Sequence, residues 1–243
     1  MSSNIPSSIP TKITWDIIPP EIKHDAFYYS IINLLQSDNT IKNVIEIGAS
    51  SGEGSTEALL LGRFKNNKLN PNNVINIFSL EVCTERFHKL QQRYSKLPTF
   101  YPLNMSSVAL SEFPDKTHVT QFYNSIRTSL NQYPLDMVLS WYDKDKEYIQ
   151  TNNIAENGIQ YNKNTYQIDT FDVALIDGSE FTGLIELDKV IGSKYILLDD
   201  INAYKNYLSH QKLKNNPNYQ CIIENLVTRN GFSIFMKKEL SFN

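Results

Sequence analysis

The sequence has little cysteine, no excess of positive charge and no long apolar run. Its 243 residues include two cysteines, Cys83 and Cys221, too few for a disulfide framework or a cysteine-based zinc site. We expect both to be small core side chains. No stretch reaches the roughly 18–20 apolar residues that span a bilayer. The 23 basic residues face 26 acidic ones, whereas nucleic-acid-binding domains are usually basic. We therefore expect a protein that binds neither membranes nor nucleic acids.

The N-terminal region carries no targeting pattern. Residues 1–12 show no basic segment followed by an apolar core, so we expect no secretory signal and a cytoplasmic location. The H-E-x-x-H pattern of zinc proteases does not occur either. We interpret 1–19 as a flexible arm and 20–243 as a single domain, a size at which one chain buries a sufficient core.

Short apolar segments alternate with helical patterns along most of the chain, which indicates a parallel sheet covered by helices on both faces. Near the C-terminus, Asn230-Gly231 separates two apolar runs at 219–228 and 232–237, a strong hairpin signal. The sequence therefore predicts a mostly parallel, seven-stranded α/β sheet closed by an antiparallel hairpin. The earlier strands are predicted at 43–47, 74–80, 99–103, 171–176 and 194–198, and the helices around them at 21–37, 55–64, 84–94 and 183–190.

A long segment, 104–170, separates the third and fourth predicted strands, and one crossover helix needs far fewer residues. Apolar residues at helical spacing predict extra helices at 115–131 and 135–149, and a polar stretch follows at 152–167. We interpret 106–165 as a helical cap inserted between strands 3 and 4. Its aromatic side chains either stack on a substrate ring or form the core of the cap. They are Phe122, Tyr123, Trp141 and Tyr142.

A glycine-rich turn follows the first predicted strand, at the edge of the sheet where open parallel sheets bind ligands. Gly48, Gly52 and Gly54 let the backbone turn sharply and approach a ligand closely. The helix after the turn would direct its N-terminal amides at that ligand. The spacing G-x-x-x-G-x-G differs from both the dinucleotide pattern and the P-loop. A turn without a ligand is the alternative.

Glu81 follows the second strand. An acidic residue at that point can accept hydrogen bonds from both hydroxyls of a ribose, although a solvated glutamate at a strand end is the alternative. After the third strand, Asn104, Ser106 and Ser107 are suited to hydrogen-bond an adenine edge, but such residues are also common in loops.

Three aspartates follow the fourth and fifth strands: Asp177, Asp199 and Asp200. Adjacent strands would bring them together, where their charges repel unless a cation lies among them. Carboxylate oxygens suit Mg²⁺ or Mn²⁺. Alternatively, one or two of these residues cap the following helices. Shortly after them, Tyr204, Lys205 and Tyr207 are either substrate contacts or one face of an amphipathic helix.

Taken together, these residues resemble the class I S-adenosylmethionine-dependent methyltransferases. The segment Glu46 to Gly54 matches their E-x-G-x-x-x-G-x-G turn after a strand, Glu81 matches their ribose-binding acid, and the hairpin matches their reversed last strand. The resemblance covers about 21–105 and 170–238. It implies a Rossmann-like methyltransferase fold that binds S-adenosylmethionine. The implied cofactor-binding residues are Glu46, Gly48, Ala49, Ser50, Gly52, Gly54, Ser55, Glu81, Val82, Asn104, Ser106 and Asp177.

Within this group, the acids near 177 and 199 look like those of the metal-dependent O-methyltransferases of the catechol and macrolide-sugar type. That likeness implies that Asp177, Asp199 and Asp200 hold Mg²⁺ or Mn²⁺. Glu180 stands where those enzymes have a histidine or lysine base. It is therefore a candidate base, a further metal ligand or a sign of altered chemistry, and Asp177 is a candidate catalytic residue beside it.

The expected function is therefore O-methylation of a small hydroxylated molecule, with a sugar or glycan as the first choice and a homodimer as the commonest assembly. Two alternatives stay open at this point. One is a protein that binds the cofactor without catalysis, because the expected base has been replaced. The other is an oxygenase similar to cephalosporin hydroxylase, although no set of two histidines and one carboxylate is evident for a redox metal.

Overall fold

The computed structural model describes residues 19–239, so most of the predicted arm, 1–18, lies outside the described residues. The described residues form one seven-stranded sheet with the strand order β3-β2-β1-β4-β5-β7-β6. All neighbours are parallel except the pairs β5–β7 and β6–β7, which are antiparallel. The strands are β1 (Asn43–Ile47), β2 (Asn76–Leu80), β3 (Phe100–Leu103), β4 (Val173–Ile176), β5 (Tyr195–Asp199), β6 (Tyr219–Asn225) and β7 (Phe232–Lys237).

Helices cover both faces of this sheet, as the alternation of patterns predicts. Two buried clusters divide its side chains: Val44 packs on the side of the first three helices, and its neighbour Ile45 packs on the side of the others. This division follows from the two-residue repeat of a strand. None of the described helices is long and apolar enough to cross a membrane. The helices are α1 (Ala26–Ser37), α2 (Ser55–Leu69), α3 (Thr84–Tyr94), α4 (Lys116–Ser125), α5 (Leu135–Thr151), α6 (Gly158–Tyr166), α7 (Gly183–Val190) and α8 (Tyr204–Lys214).

The structure corrects the predicted start of α1 and end of α2. The first helix begins at Ala26 rather than residue 21, because Asp25 caps it by accepting a hydrogen bond from the amide of Tyr28 at 2.9 Å. The second continues to Leu69 rather than ending at 64. The side chain of Asn66 lies buried there and donates to the carbonyl oxygen of Leu35 at 2.8 Å, so a polar residue joins two helices instead of marking a loop.

The segment between β3 and β4 holds α4, α5, α6 and two short 3-10 turns, Leu110–Glu112 and Ser129–Gln132. The predicted helix at 115–131 is therefore split, and the polar stretch at 152–167 contains a helix that the sequence pattern did not predict. Tyr142 and Phe122 are buried in this segment, whereas Trp141 reaches the cavity described below. Of the two cysteines, Cys83 is buried as expected and Cys221 is half-buried.

Candidate active site

The strand order reverses between β1 and β4, since the chain proceeds from β1 to β2 and β3 on one side and from β4 to β5 on the other. Ligands of open α/β sheets bind beyond the carboxyl ends of the strands at such a point. A cavity of about 470 Å³ lies there, within the size range of small-molecule sites. The loops after β1, β2, β4 and β5, together with α5 and the segment at 19–22, line it.

The glycine turn after β1 forms one wall of this cavity. The amides of Gly48 and Ala49 both donate to the carbonyl oxygen of Leu80 at 3.0 Å, which ties the turn to the end of β2. Gly48 has φ = +88°, and a Cβ there would lie 2.0 Å from the carbonyl oxygen of Asp177. Only glycine therefore fits, because both the backbone angle and the available space exclude a side chain.

Glu46 anchors this turn from below. Its buried carboxylate accepts hydrogen bonds from the hydroxyls of Ser55 at 2.7 Å, Thr56 at 2.8 Å and Ser79 at 2.6 Å. Burial raises its pKa, and these three hydroxyls oppose the rise. Glu46 does not line the cavity. Its hydrogen bonds hold the start of α2 against the sheet.

Glu81 lies at the base of the cavity and is 4% exposed. One carboxylate oxygen accepts the amide of Ser50 at 2.6 Å, and the other accepts the amide of Cys83 at 2.7 Å. Burial raises the pKa of Glu81 to about 6, although these amides and the charge of Arg86 oppose the rise. The backbone thus fixes both oxygens in place and leaves their other lone pairs for a ligand.

Most of the other predicted cofactor residues share this wall. Ala49, Ser50, Gly54, Ser55, Val82, Ser106 and Asp177 all line the cavity. Gly52 and Asn104 do not. The side chain of Asn104 donates to the carbonyl oxygens of Glu81 and Val82 at 2.8 and 2.9 Å, which holds the loop after β2 in position.

Residues 48–52 also match the pattern G-x-S-x-G of hydrolase nucleophiles, and Ser50 has φ = +49°. A serine nucleophile needs a base within hydrogen-bond reach. No histidine of the described chain lines this cavity. The turn therefore lacks the partner on which that chemistry depends.

The three predicted aspartates do meet, at the carboxyl ends of β4 and β5. Asp177 follows β4, Asp199 ends β5 and Asp200 comes next, and one carboxylate oxygen from each lies within 4.8 Å of the others. The helices that follow begin after Thr182 and Ala203, so the alternative that these aspartates are N-caps is wrong.

Two cations of the chain neutralise part of the charge of this cluster. The ammonium of Lys205 donates to Asp177 at 2.8 Å and to Asp200 at 2.7 Å. Burial alone would lower the pKa of Lys205, but the surrounding carboxylates, Asp177 foremost, hold it well above its usual value. The guanidinium of Arg229 donates to both oxygens of Asp199 at 2.8 Å. Three carboxylates therefore face two fixed positive charges.

This arrangement does not fit a divalent metal ion. A metal ion needs carboxylate oxygens directed at it, and here Lys205 holds one oxygen of Asp177 and one of Asp200, while Arg229 holds both oxygens of Asp199. A metal would have to displace Lys205 and add two positive charges beside Arg229. We therefore assign no catalytic step to a metal.

Glu180 lines the cavity beside this cluster, as the three aspartates and Lys205 also do. One carboxylate oxygen accepts the backbone amide of Lys205 at 3.3 Å. Desolvation raises the pKa of Glu180 to about 7, with Asp200 adding to the rise and Lys205 opposing it. A carboxyl group with a pKa near neutrality can take up a proton during a reaction.

Two residues near the aspartate cluster, Arg229 and Asp145, were not predicted as site residues from the sequence. Arg229 was part of the hairpin signal and carried no chemical signal of its own. Asp145 lies on α5, within the helix predicted at 135–149. It lines the cavity and accepts the hydroxyl of Ser179 at 2.5 Å, and burial raises its pKa to about 6. Only the packing of α5 against the sheet brings it to the site.

Comparisons with known proteins agree with this fold. No protein-family model and no curated protein matches the sequence. The cofactor-bound Rv0187 from MTB is 14% identical, with a TM-score of 0.53 over 90% of this chain and 84% of its own. The O-methyltransferase from Bacillus cereus in complex with SAH is 12% identical, with a TM-score of 0.50 over the same shares. The chain therefore has the Rossmann-like fold of the class I methyltransferases, as its sequence motifs implied.

Proposed function

We propose that this protein transfers the methyl group of S-adenosylmethionine to a hydroxyl oxygen of a small molecule, and that the substrate is a sugar or a glycan. One observation supports this proposal: the same cavity at the strand-order reversal is lined by Glu81 and by Glu180. Two backbone amides hold the carboxylate of Glu81, and the pKa of Glu180 is raised to about 7. The first suits a ribose, and the second suits proton transfer.

The first half of the cavity has the chemistry that the cofactor needs. Glu81 presents two anchored acceptors to a ribose diol, and the turn from Gly48 to Ser55 brings backbone close to the ligand. Asp177, Glu180 and Asp145 contribute negative charge further along the wall, which favours a ligand with a positively charged sulfur. These features fit S-adenosylmethionine.

The other half supports a sugar substrate. Trp141, Phe113 and Phe181 contribute aromatic side chains to the lining, and Asp145 and Ser179 contribute hydrogen-bonding groups. Flat rings next to carboxylates suit a molecule with apolar C–H faces and several hydroxyls. The likeness to an O-methyltransferase fold agrees with an oxygen as the accepting atom.

The chain's own residues then perform three tasks. When bound, S-adenosylmethionine supplies a methyl group whose bonding electron pair remains with sulfur. Glu180 takes the proton from the substrate hydroxyl as its oxygen becomes the nucleophile. Glu81 and the glycine turn fix the cofactor's position, and the wall from α5 excludes water, so that reacting atoms are held in line. A homodimer and a cytoplasmic location stay predictions.

Calorimetric titration with S-adenosylhomocysteine tests the cofactor half directly. We expect micromolar binding to the wild-type protein and at least about tenfold weaker binding to Glu81→Gln, since hydrogen bonds to charged groups contribute about 1.5–3 kcal/mol. Glu112→Gln is the matched control, because Glu112 pairs with Lys189 away from the cavity. It should bind like the wild type. No binding to folded wild-type protein would refute the proposal.

Turnover separates an enzyme from a protein that only binds the cofactor. The protein is incubated with labelled S-adenosylmethionine and a panel of sugars, and labelled product is measured. Glu180→Gln should lose turnover while it retains S-adenosylhomocysteine binding. An unchanged rate in that variant would exclude Glu180 as the base.

A further inference from the structure

Lys205 occupies the position in the acidic cluster that a cation must fill. Its Nζ lies 2.8 Å from Oδ1 of Asp177 and 2.7 Å from Oδ2 of Asp200, distances typical of charge-assisted hydrogen bonds. The side chain is 11% exposed. The cation that these neighbouring carboxylates require is therefore supplied by the chain itself.

The backbone keeps Lys205 at this position. Asn206, the next residue, donates from its side chain to the carbonyl oxygens of Ile176 at 2.9 Å and Asp199 at 2.7 Å, which ties the start of α8 to the ends of β4 and β5. A Cβ on Gly183 would lie 1.9 Å from the carbonyl oxygen of Lys205, so α7 packs directly against this turn. Helix α8 cannot shift to free the cluster without breaking these contacts.

Arg229 removes the third aspartate from metal binding. It holds both oxygens of Asp199, and its Nε also donates to Asp25 at 2.9 Å. Asp199 is 4% exposed and Arg229 is 16% exposed, so this pair is largely shielded from water. A buried ion pair of this kind, in which Nη1 of Arg229 donates to both oxygens of Asp199, is costly to break.

We propose that Lys205 takes the place of a divalent metal ion and binds the reacting oxygen of the substrate, so that methyl transfer proceeds without a metal. This inference rests on the proposed function. An ammonium group has three donors, and among the described residues Asp177 and Asp200 accept two of them. Lys205 lines the cavity beside Glu180. Its third donor can therefore stabilise the substrate oxygen while Glu180 accepts the hydroxyl proton.

Metal binding to the purified, full-length protein tests this inference without any knowledge of the substrate. Mn²⁺ binding is measured by calorimetry and by electron paramagnetic resonance. We expect no binding at millimolar Mn²⁺ for the wild type and one bound ion for Lys205→Ala, because that variant leaves the carboxylates of Asp177 and Asp200 without their cation. Lys212→Ala is the matched control on the same helix: Lys212 is an exposed residue that pairs with Asp188. It should behave like the wild type.

Metal binding by the wild-type protein also provides a test that does not depend on whether Lys205→Ala folds. Tight Mn²⁺ binding by the wild type that Asp200→Asn abolishes would overturn the inference. So would a folded Lys205→Ala variant that binds no metal. S-adenosylhomocysteine binding is measured on the same samples: if it is normal while either result above is found, only the role of Lys205 fails, whereas its absence in the wild type refutes the proposed function.

Once a substrate is known, a kinetic signature adds to these results. Chelation of metals should leave wild-type turnover unchanged. Lys205→Ala should lose about 10²–10³-fold in kcat, the range for removal of one donor to a developing oxyanion, and added Mn²⁺ should recover part of that loss. A purely structural role would give no recovery by metal. Loss of wild-type turnover on chelation would also overturn the inference.

Discussion

The two halves of the cavity hold their carboxylates in different ways. Glu81, on the cofactor side, is fixed by backbone amides from its own loop and from the neighbouring glycine turn. Asp177, Asp199 and Asp200, on the other side, are fixed by the side chains of Lys205 and Arg229, which come from later elements. The first half depends on local backbone shape, and the second depends on charge pairs between distant parts of the chain.

This difference determines which substitutions should disrupt each half of the cavity. Backbone donors cannot be removed by replacing a side chain, so the cofactor half is sensitive to changes that alter the turn itself. Charge pairs are lost as soon as one partner is replaced, and the remaining buried charge then destabilises the fold. The following predictions separate these two behaviours.

The largest effect should come from Gly48→Ala, which changes the wall that both halves share. The new Cβ would lie 2.0 Å from the carbonyl oxygen of Asp177 at φ = +88°, and we expect a loss of at least about 3 kcal/mol in the free energy of unfolding. Urea denaturation measures it. Gly192→Ala is the control, because Gly192 has φ = +104° but its Cβ would meet only the Thr170 methyl group at 3.2 Å. Equal losses in both variants would show that the clash is unimportant.

Arg229→Met should destabilise the acidic half and also remove the ion-pair partner of Asp25. It leaves Asp199 buried without its cation, and breaking such a pair costs about 3–5 kcal/mol. Lys212→Met, which breaks an exposed pair with Asp188, should cost at most about 1 kcal/mol. Thermal and urea unfolding compare the two variants. A similar small loss for both would show that burial adds nothing to the Arg229 pair.

Glu180 should set the pH dependence of turnover. Its pKa is raised to about 7, and a base must be deprotonated to act. The rate should therefore rise as pH increases through about 7, and Glu180→Gln should lose both this dependence and about 10²-fold or more of kcat. The measurement is a pH–rate profile of each protein. A wild-type profile that is flat between pH 6 and 8, where this pKa lies, would contradict the assignment.

The smallest effect should be a pH dependence of cofactor binding. The ionised form of Glu81 offers acceptors to both ribose hydroxyls, and its pKa is raised to about 6. The affinity for S-adenosylhomocysteine should therefore weaken as pH falls below about 6, by less than about tenfold. Calorimetry at several pH values measures this change. In Glu81→Gln the affinity should be low at every pH, and a persistent pH dependence there would point to another group.

The order of elements could be predicted from sequence because it depends on local patterns. Short apolar segments and helical repeats predicted the parallel strands and most helices, and Asn230-Gly231 predicted the hairpin. Predictions failed where a side chain had a tertiary partner. Asn66 looked like a loop residue, but it anchors α2 to α1. Asp25, whose carboxylate accepts the Tyr28 amide at the start of α1, also pairs with the distant Arg229.

The same reason limits prediction of the site. Glu81 and Gly48 act through their own loops, so motif position alone located them. Asp177, Asp199 and Asp200 were also located, and their mutual repulsion correctly required a cation. The identity of that cation could not be read from the sequence, because it depends on where Lys205 and Arg229 reach after folding. Sequence position suggests Lys205 either as a substrate contact or as part of an amphipathic helix face.

The pair between Arg229 and Asp25 joins residues 204 positions apart. A ribosome delivers β1, β2 and the cofactor wall early, whereas the hairpin that carries Arg229 is delivered much later. During synthesis Asp199 emerges before its positive partner and cannot be neutralised by it until the hairpin has left the exit tunnel. Closure of the acidic half is therefore a late event in chain synthesis, because a nascent chain that ends before Arg229 lacks the cation that pairs with Asp199.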